Sequence, residues 1–241
     1  MNGRALLRLA GLAGVLAAVA WIVGDVLLVG HVANAADYPW LAAHADRVDA
    51  DMILRLLGVP VAQLAAGALC AVFSVPLYLF GCWHLWRGLR GSGRAWSLPA
   101  IALVFVGYAL SPLPHAAFYF AGATWQAVAA ADPAGQLQLL ALADGFHRVL
   151  AWTWYPAVAC QLLGLLWFSA ALARGGGSYP RWFALTSNPL VLGVLAIGGP
   201  LLLGGRAGDA LGAAAFNVIW LLVYLQSLAL LWHQGEGLAR G

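Results

Sequence analysis

The chain has 241 residues, of which 63% are hydrophobic and only 9% are charged, whereas roughly a quarter of the residues in an ordinary soluble domain are charged. A soluble fold of this size could not cover its surface with so few charges. The formal charge of +3 comes from scattered arginines without a basic run, which argues against a nucleic-acid partner. Three cysteines outside any CxxC pair exclude a disulfide scaffold. The composition therefore predicts a multi-pass membrane protein.

Six stretches are long and apolar enough to cross a membrane as helices, which takes about 20 residues each. They lack the alternating pattern of barrel strands, so an all-α bundle is predicted. The predicted spans cover residues 5–30, 52–80, 96–121, 146–173, 182–204 and 209–233. We therefore predict one transmembrane domain over residues 1–241. Its two longer outer connections, at about 31–51 and 122–145, could form small caps.

The placement of arginine predicts the orientation, because cytoplasmic loops are enriched in Arg and Lys. An amino terminus inside the cell puts most of the arginines on the cytoplasmic side, namely Arg4, Arg8, Arg87, Arg90, Arg94, Arg174, Arg181 and Arg240. Every aspartate then falls outside or in the outer half of a helix. We predict a bacterial inner-membrane protein with both termini in the cytoplasm.

Asp25 lies in the first span with apolar residues on both sides. An ionisable group at membrane depth costs about 2.5–3.5 kcal/mol on insertion scales, so its presence needs a reason. One interpretation is a carboxylate that is hydrogen-bonded to a neighbouring helix and holds the bundle together. The other is a desolvated acid that holds or passes a proton near neutral pH.

Two acid–arginine pairs open outward-starting helices, Asp51 with Arg55 and Asp144 with Arg148. Their i,i+4 spacing lets each pair bridge along one helix face. His147 follows Asp144 by three residues on the same face, and a structural pair does not account for it. An Asp/His/Arg face at a helix start is interpreted either as a polar site or as an interfacial cap.

The third span carries Ser111-Pro-Leu-Pro-His115 in its outer half. Its prolines interrupt the helical hydrogen bonds and free carbonyl groups, which membranes tolerate only where protein or water satisfies them. We therefore expect His115 to face an interior cavity, although a kinked helix with a satisfied histidine is also open.

Polar residues gather in the outer halves of five spans, whereas chance would scatter them over both halves. The predicted result is an outward-opening pocket with aromatic walls, although simple packing of the aromatics stays open. The candidate catalytic residues are Asp25, His115 and His147. The candidate substrate-binding residues are Arg55, Gln63, Phe118, Tyr119, Trp125, Arg148, Trp152, Tyr155 and Asn217.

The chain resembles a family of uncharacterised six-helix bacterial membrane proteins in the segments GDVLLVGH, RLLGVP, LYLFGCWHLWRGLR, HAAFYFAG and AFNVIWLLVYLQSLALLW. This resemblance implies a six-span fold and no particular activity. In size, and in combining a buried acid with aromatics, the chain is loosely similar to small integral-membrane terpene cyclases, which usually have seven spans. Ser111-x-x-x-His115 is also similar to an element of membrane zinc hydrolases of lipid amides, but their late HxxxH element is missing.

Three hypotheses follow for the function. The first is a metal-free acid/base enzyme, a cyclase or isomerase, that acts on a lipophilic prenyl or lipid substrate without a cofactor. The second is a small proton-coupled transporter that uses Asp25 and the histidines as a relay. The third is a structural or sensory membrane protein without catalysis. A zinc-dependent lipid hydrolase is less favoured. Membrane lipids are the expected partners, and the oligomeric state stays open.

Overall fold

A computed structural model describes residues 3–44 and 48–233. Asp46, Arg47 and Arg240, which enter the predicted topology, lie outside this part of the chain. The described residues are helical and contain no strand. The helices are α1 (Gly3–Val29), α2 (Ala50–Leu56), α3 (Val61–Leu89), α4 (Arg94–Leu110), α5 (Pro112–Ala130), α6 (Pro133–Arg174), α7 (Phe183–Thr186), α8 (Pro189–Leu203) and α9 (Gly205–Leu231). The all-α prediction is confirmed for this part of the chain.

Five helical segments in the described residues are long and apolar enough to cross a membrane. They are Gly3–Val29, Val61–Ser92, Arg94–Ala130, Pro133–Arg174 and Gly205–Leu231. The remaining predicted span, 182–204, holds the four-residue α7 and the 15-residue α8. At 1.5 Å per residue α8 reaches about 22 Å, which is less than a hydrocarbon core of about 30 Å. Its length is set by Asn188, which caps its start, and by Gly204, whose φ of +61° ends it.

The third and fourth predicted spans have different bounds from the helices observed. Instead of a helix over 96–121, α4 and α5 meet at Ser111, and Pro112 occupies the first turn of α5, where a missing N–H costs little. Instead of starting near residue 146, α6 runs for 42 residues, about 63 Å. The predicted outer connection over 122–145 is therefore mostly helical, because its residues extend α5 and α6.

The helices pack around α1, which lies between α3 and α9. On the other side of the bundle α6 packs against α4 and α5, and the short α2 packs on α5 and the end of α1. The contact of α1 with α3 is close because it is made at glycines. A Cβ added at Gly24 would lie 2.9 Å from the carbonyl oxygen of Gly67, so only small residues permit this approach.

Two buried apolar clusters meet at the level of Asp25. One surrounds Trp21, Tyr78 and Tyr108. The other surrounds Phe118 and Leu150 and lies toward α2. The end of the bundle that carries α2 is called the α2 end below. The junction of the two clusters is where the polar residues of the spans collect.

Candidate functional site

A cavity of about 370 Å³ lies between α1, α5, α6 and α9, and α2 forms its roof. This volume falls within the range of about 300–1,000 Å³ that is usual for small-molecule sites. Its wall is mostly apolar, and a few polar groups point into it, as in many binding pockets. Of the candidate residues from the sequence, seven line it: Asp25, Arg55, His115, Phe118, His147, Tyr155 and Asn217.

Asp25 and His115 form a pair on the wall of this cavity. The Nε2 atom of His115 lies 3.4 Å from the Oδ1 atom of Asp25, and both side chains are largely buried. The Nδ1 atom of His115 lies 2.7 Å from the carbonyl oxygen of Ser111. Because a carbonyl only accepts, Nδ1 carries a proton, and Nε2 faces the carboxyl group. A proton carried by either Nε2 or Oδ1 can therefore be shared across this contact.

Asn217 fixes the other oxygen of the same carboxyl group. Its amide nitrogen donates a 2.6 Å hydrogen bond to Oδ2 of Asp25. Its amide oxygen accepts a 3.1 Å hydrogen bond from the hydroxyl of Tyr78, which determines the orientation of the amide. Asp25 is thus held by groups from α5 and α9, and Tyr78 of α3 supports this arrangement.

Ser111 lies at the break between α4 and α5 and also lines the cavity. Its hydroxyl donates to the carbonyl oxygen of Gly107 at 2.7 Å and accepts from the amide nitrogen of Gln161 at 3.1 Å. The backbone N–H of His115 bonds the Ser111 carbonyl at 3.3 Å, a long bond that leaves this oxygen available to the imidazole. Pro112 and Pro114 lack the N–H groups that would bond the carbonyls of Tyr108 and Leu110. The carbonyl that orients His115 is therefore not one that the prolines free, but a helical carbonyl that also accepts from the backbone of His115. The Oε1 atom of Gln161 is buried without a hydrogen-bond partner among the described residues.

The α2 end of the cavity carries Arg55, His147 and Asp49. The Nη1 atom of Arg55 donates to the carbonyl oxygen of Val29 at 3.3 Å. Asp49 caps α2, and its carboxylate accepts from the backbone N–H of Met52. Among the described residues no ion pair joins Arg55 to a carboxylate, so the sequence pairing of Asp51 with Arg55 is not formed. The predicted pair Asp144–Arg148 is formed, at 3.3 Å.

Aromatic rings make up much of the remaining wall. The ring of Trp21 lies 4.5 Å from that of His115 between centroids, and its indole N–H donates to the carbonyl of Ala71. Phe118, Trp154 and Phe216 line the cavity from α5, α6 and α9. The faces of such rings are electron-rich, so a positive charge that meets one of them in this cavity is stabilised.

Five candidate residues lie outside the cavity. Trp125 stacks on Trp40, with ring centroids 6.1 Å apart, in the apolar cluster toward α2. Gln63 donates to the carbonyl of Leu27. Trp152 is 79% exposed on the outer surface of α6. The remaining two are Arg148, which is exposed and paired with Asp144, and Tyr119, which faces away beside Phe118.

The register of α6 decides which of its residues reach the site. His147, Ala151, Trp154, Val158 and Gln161 line the cavity in steps of four and three residues, the spacing of one helix face. Arg148 and Trp152 lie off this face, because each residue turns a helix by about 100°. Gln161 was missed from the sequence, although counting this face onward from His147 would have found it. Trp21 was missed too, since an aromatic residue in an apolar span carries no distinguishing signal.

The cavity wall between α6 and α9 contains exposed residues. The backbones of these two helices do not pack against each other, since α6 packs on α4 and α5 and α9 packs on α1 and α8. Residues from both helices line the cavity and are also exposed on the outside of the bundle, including Tyr155 at 65% and Gly212. This side of the cavity is therefore the candidate route by which a ligand reaches the polar pair.

No group of three or more His, Cys, Asp or Glu side chains within the described ranges is arranged to hold a metal ion. Asp25 and His115 are two side chains of these types that lie close together, and the amide of Asn217 donates a hydrogen bond to Asp25 beside them. The side chains that line the cavity can take part in proton transfer, hydrogen bonding and contact with aromatic rings.

The helices long and apolar enough to cross a membrane are compatible with the class of multi-pass α-helical membrane proteins. The chain belongs to the family described as Family of unknown function (DUF6796), whose model matches residues 1–234. This agrees with the predicted resemblance to an uncharacterised family. Neither the curated proteins nor the solved structures contain a match to this chain, so the likeness to terpene cyclases stays a prediction.

Proposed function

We propose that this protein is a membrane-embedded acid/base enzyme that isomerises or cyclises a lipophilic substrate, a prenyl chain or another lipid. The observation that carries the proposal is the Asp25–His115 pair, separated by 3.4 Å, on the wall of a largely apolar cavity of about 370 Å³. Ionisable groups are rare at membrane depth and are retained mainly where they function.

The pair can act first as an acid and then as a base. The proton between His115 Nε2 and Asp25 Oδ1 moves to one carbon of a substrate double bond, and the positive charge forms on the other carbon. Loss of a proton from a neighbouring carbon to the same pair then gives the isomerised alkene. If a second double bond of the substrate attacks the cation before that loss, a ring closes. Each sequence returns the proton and needs no electron acceptor.

The proposed reaction also requires that the cavity stabilise a carbocation, and the aromatic residues of its wall can do this. Trp21, Phe118 and Trp154 line the cavity, and a cation near the face of such a ring is stabilised by about 0.5–2 kcal/mol per contact, more when water is excluded. The apolar lining also keeps water from trapping the cation. His147, the third candidate catalytic residue, lies at the α2 end and is assigned to binding rather than to the pair.

The proposed location is the cell membrane, with six crossings and both termini in the cytoplasm. Arg87, Arg94, Arg174 and Arg181 support this orientation, because they border connections at the end of the bundle opposite α2 and cytoplasmic loops are rich in arginine. Fusions of alkaline phosphatase, which is active only outside the cytoplasm, test it. We expect inactive fusions after Gly93 and Gly176 and active ones after Ala131 and Gly204. Equal activity after Gly176 and Gly204 would mean that α8 does not cross.

The experiment that tests the enzyme proposal compares lipid and prenoid mass spectra of cells that carry the wild-type chain or Asp25→Asn. The variant keeps the size of the side chain and removes the acid. We expect a substrate to accumulate and a product to disappear. Asp144→Asn is the matched control, since Asp144 lies outside the cavity in an exposed pair. Identical profiles for wild type and Asp25→Asn would overturn the proposal.

A proton-coupled transporter is the second candidate, and one observation favours it. Beyond Asn217, away from the cavity, the buried tyrosines 78, 108 and 224 lie together between Asp25 and the opposite end of the bundle. The hydroxyls of Tyr108 and Tyr224 lack a hydrogen bond of ordinary geometry, and buried water could link such groups. Proton uptake by proteoliposomes tests this: flux that Tyr224→Phe abolishes would favour transport, and no flux in the wild type would exclude it.

A further inference from the structure

We propose that the ligand of this cavity is a single-chain amphiphile with an anionic head, a phosphate or a carboxylate, which enters between α6 and α9 and places its head at Arg55. This inference rests on the proposed function for the identity of the cavity as a substrate site. It adds the class of head group, the side of entry and the part of the molecule that reacts.

Arg55 is the reason for an anionic head. Its side chain lines the cavity, and its only partner among the described residues is the carbonyl oxygen of Val29. A guanidinium carries five N–H donors in a planar fork, so most of them remain for a ligand. Phosphate and carboxylate match this fork with two parallel hydrogen bonds. Arg55 is half-buried and pairs with no carboxylate within residues 3–44 and 48–233, so a bound anion would match its charge.

His147 adds a second donor at the same end. Its Nδ1 atom is buried and has no hydrogen-bond partner in the described part of the chain, and its side chain lines the cavity. Among the described residues that line this end of the cavity, Asp49 is the one carboxylate. It already accepts from the backbone N–H of Met52 at the start of α2, where the helix dipole favours its charge. Arg55 and His147 therefore remain available to hold an anion.

The exposed residues of the cavity wall between α6 and α9 indicate how the ligand enters. Trp154 and Tyr155 on α6, and Gly212 on α9, line the cavity and are exposed to the outside of the bundle. Gly212 leaves room there, because an added Cβ would meet nothing closer than Pro200, at 3.6 Å. A chain that lies in the bilayer can thus slide in while its head stays at the level of α2. Since the cavity holds about 370 Å³, it suits one apolar chain or ring system.

The register of α1 gives the distance from the head to the reactive pair. Val29, which holds Arg55, and Asp25 are four residues apart on α1, about 6 Å along the helix axis. A head bound at Arg55 therefore puts the bond that reacts about one helical turn from the head, rather than at the far end of the chain.

Binding of defined amphiphiles to the full chain, purified in a neutral maltoside detergent, tests the proposal. The probes are dodecyl phosphate, dodecanoic acid and dodecanol, and native mass spectrometry measures the apparent Kd of each. We expect an anionic probe to bind at least tenfold more tightly than dodecanol, because charge-assisted hydrogen bonds are the strong ones. Comparison of dodecyl phosphate with dodecanoic acid shows which anionic head group the site prefers. Equal binding of all three probes would overturn the proposal.

Arg55→Gln and Arg148→Gln form a matched pair of variants at the same end of the bundle. Arg148 is exposed and outside the cavity. We expect Arg55→Gln to weaken the anionic probes about tenfold, to the level of dodecanol, and Arg148→Gln to change nothing. Equal losses of affinity in both variants would mean that the anionic probes are attracted only to the positively charged surface. That result would overturn the proposed site. Gly212→Trp should slow association, whereas Gly193→Trp on α8, where an added Cβ meets nothing within 4 Å, should not.

Asp25→Asn separates this inference from the proposed function. We expect it to bind the anionic probe within twofold of the wild type, because Asp25 lies one turn away from the head. If Asp25→Asn binds normally but leaves the cellular lipid profile unchanged, catalysis fails and the amphiphile site stands. If the lipid profile changes while Arg55→Gln binds as the wild type does, the enzyme stands and the head-group assignment fails.

Discussion

The amide of Asn217 on α9 donates a 2.6 Å hydrogen bond to the carboxyl group of Asp25 on α1, across 192 residues of sequence. This contact joins the first and last long helices of the bundle at the level of the cavity. It also leaves Oδ1 of Asp25 free to share a proton with His115. The structural contact and the proposed proton transfer thus use different oxygens of one carboxyl group.

Replacing Asn217 with leucine should destabilise the protein and disturb the site. The change removes the partner of Asp25 Oδ2 and of the Tyr78 hydroxyl, and each buried polar group left without a partner costs about 1–3 kcal/mol. We expect a Tm that is lower by several degrees in detergent. Tyr78→Phe should lose less, because it removes the hydroxyl together with its need for a partner. An unchanged Tm in Asn217→Leu would contradict the described contact.

Asp25 and His115 should behave as one unit in catalysis. General acid–base groups typically contribute about 10²–10⁴-fold to a rate, so we expect losses of that size from Asp25→Asn and from His115→Gln. The double variant should lose little more than the worse single variant, because either change already removes the shared proton. The measurement is turnover in isolated membranes of the substrate that the lipid spectra identify. Losses that multiply would show that the two residues act independently.

Trp154 and Trp152 test the aromatic wall with two tryptophans on one helix. Trp154 lines the cavity, whereas Trp152 is 79% exposed on the outer surface. We expect Trp154→Ala to weaken amphiphile binding about 3- to 30-fold, because it removes an apolar contact with the bound chain worth about 0.5–2 kcal/mol. Trp152→Ala should stay within twofold. The Kd by native mass spectrometry reports both, and the opposite order would mean that the register of α6 is wrong.

Gly67 should not tolerate a large side chain. A Cβ at this position would lie 2.8 Å from the carbonyl oxygen of Gly24, so Gly67→Leu must push α1 away from α3. The shift also moves Asp25, the next residue after Gly24. We expect a lower yield of folded protein and a lower Tm, as seen by fluorescence-detected size exclusion. Gly193→Leu on α8, which has open space, is the control, and a similar loss in both would point to a general effect of leucine.

Arg8 should stabilise the end of the bundle opposite α2. Its guanidinium donates two hydrogen bonds to the carbonyl oxygen of Trp232, at 3.0 and 2.8 Å, and lies over the indole ring of the same residue. Loss of these contacts in Arg8→Gln should cost about 1–3 kcal/mol. Arg148→Gln breaks only an exposed ion pair, worth at most about 1 kcal/mol. Thermal unfolding of the two variants measures the difference, and equal effects would refute the proposed role of Arg8.

Much of the site was predictable from the sequence because a membrane makes polar residues conspicuous. Asp25, His115 and Asn217 stand out in apolar runs, and the prolines beside His115 indicate a freed carbonyl. Local rules did not reveal which oxygen each group contacts. Arg55 was expected to pair with Asp51, four residues earlier, but it bonds the carbonyl of Val29 in another helix. The i,i+4 spacing predicted the wrong partner, because the actual partner lies on another helix that packing brings close to Arg55.

The sequence by itself determined the helical class, the apolar runs and the small set of polar residues that needs an explanation, because composition and spacing along one chain express those properties directly. Only the tertiary structure decided that α6 turns His147 and Gln161 inward and Trp152 outward. It also decided that α8 is short and that α6 and α9 stand apart. These features depend on the rotation and distance of helices relative to each other. Contacts between residues far apart in sequence set both quantities.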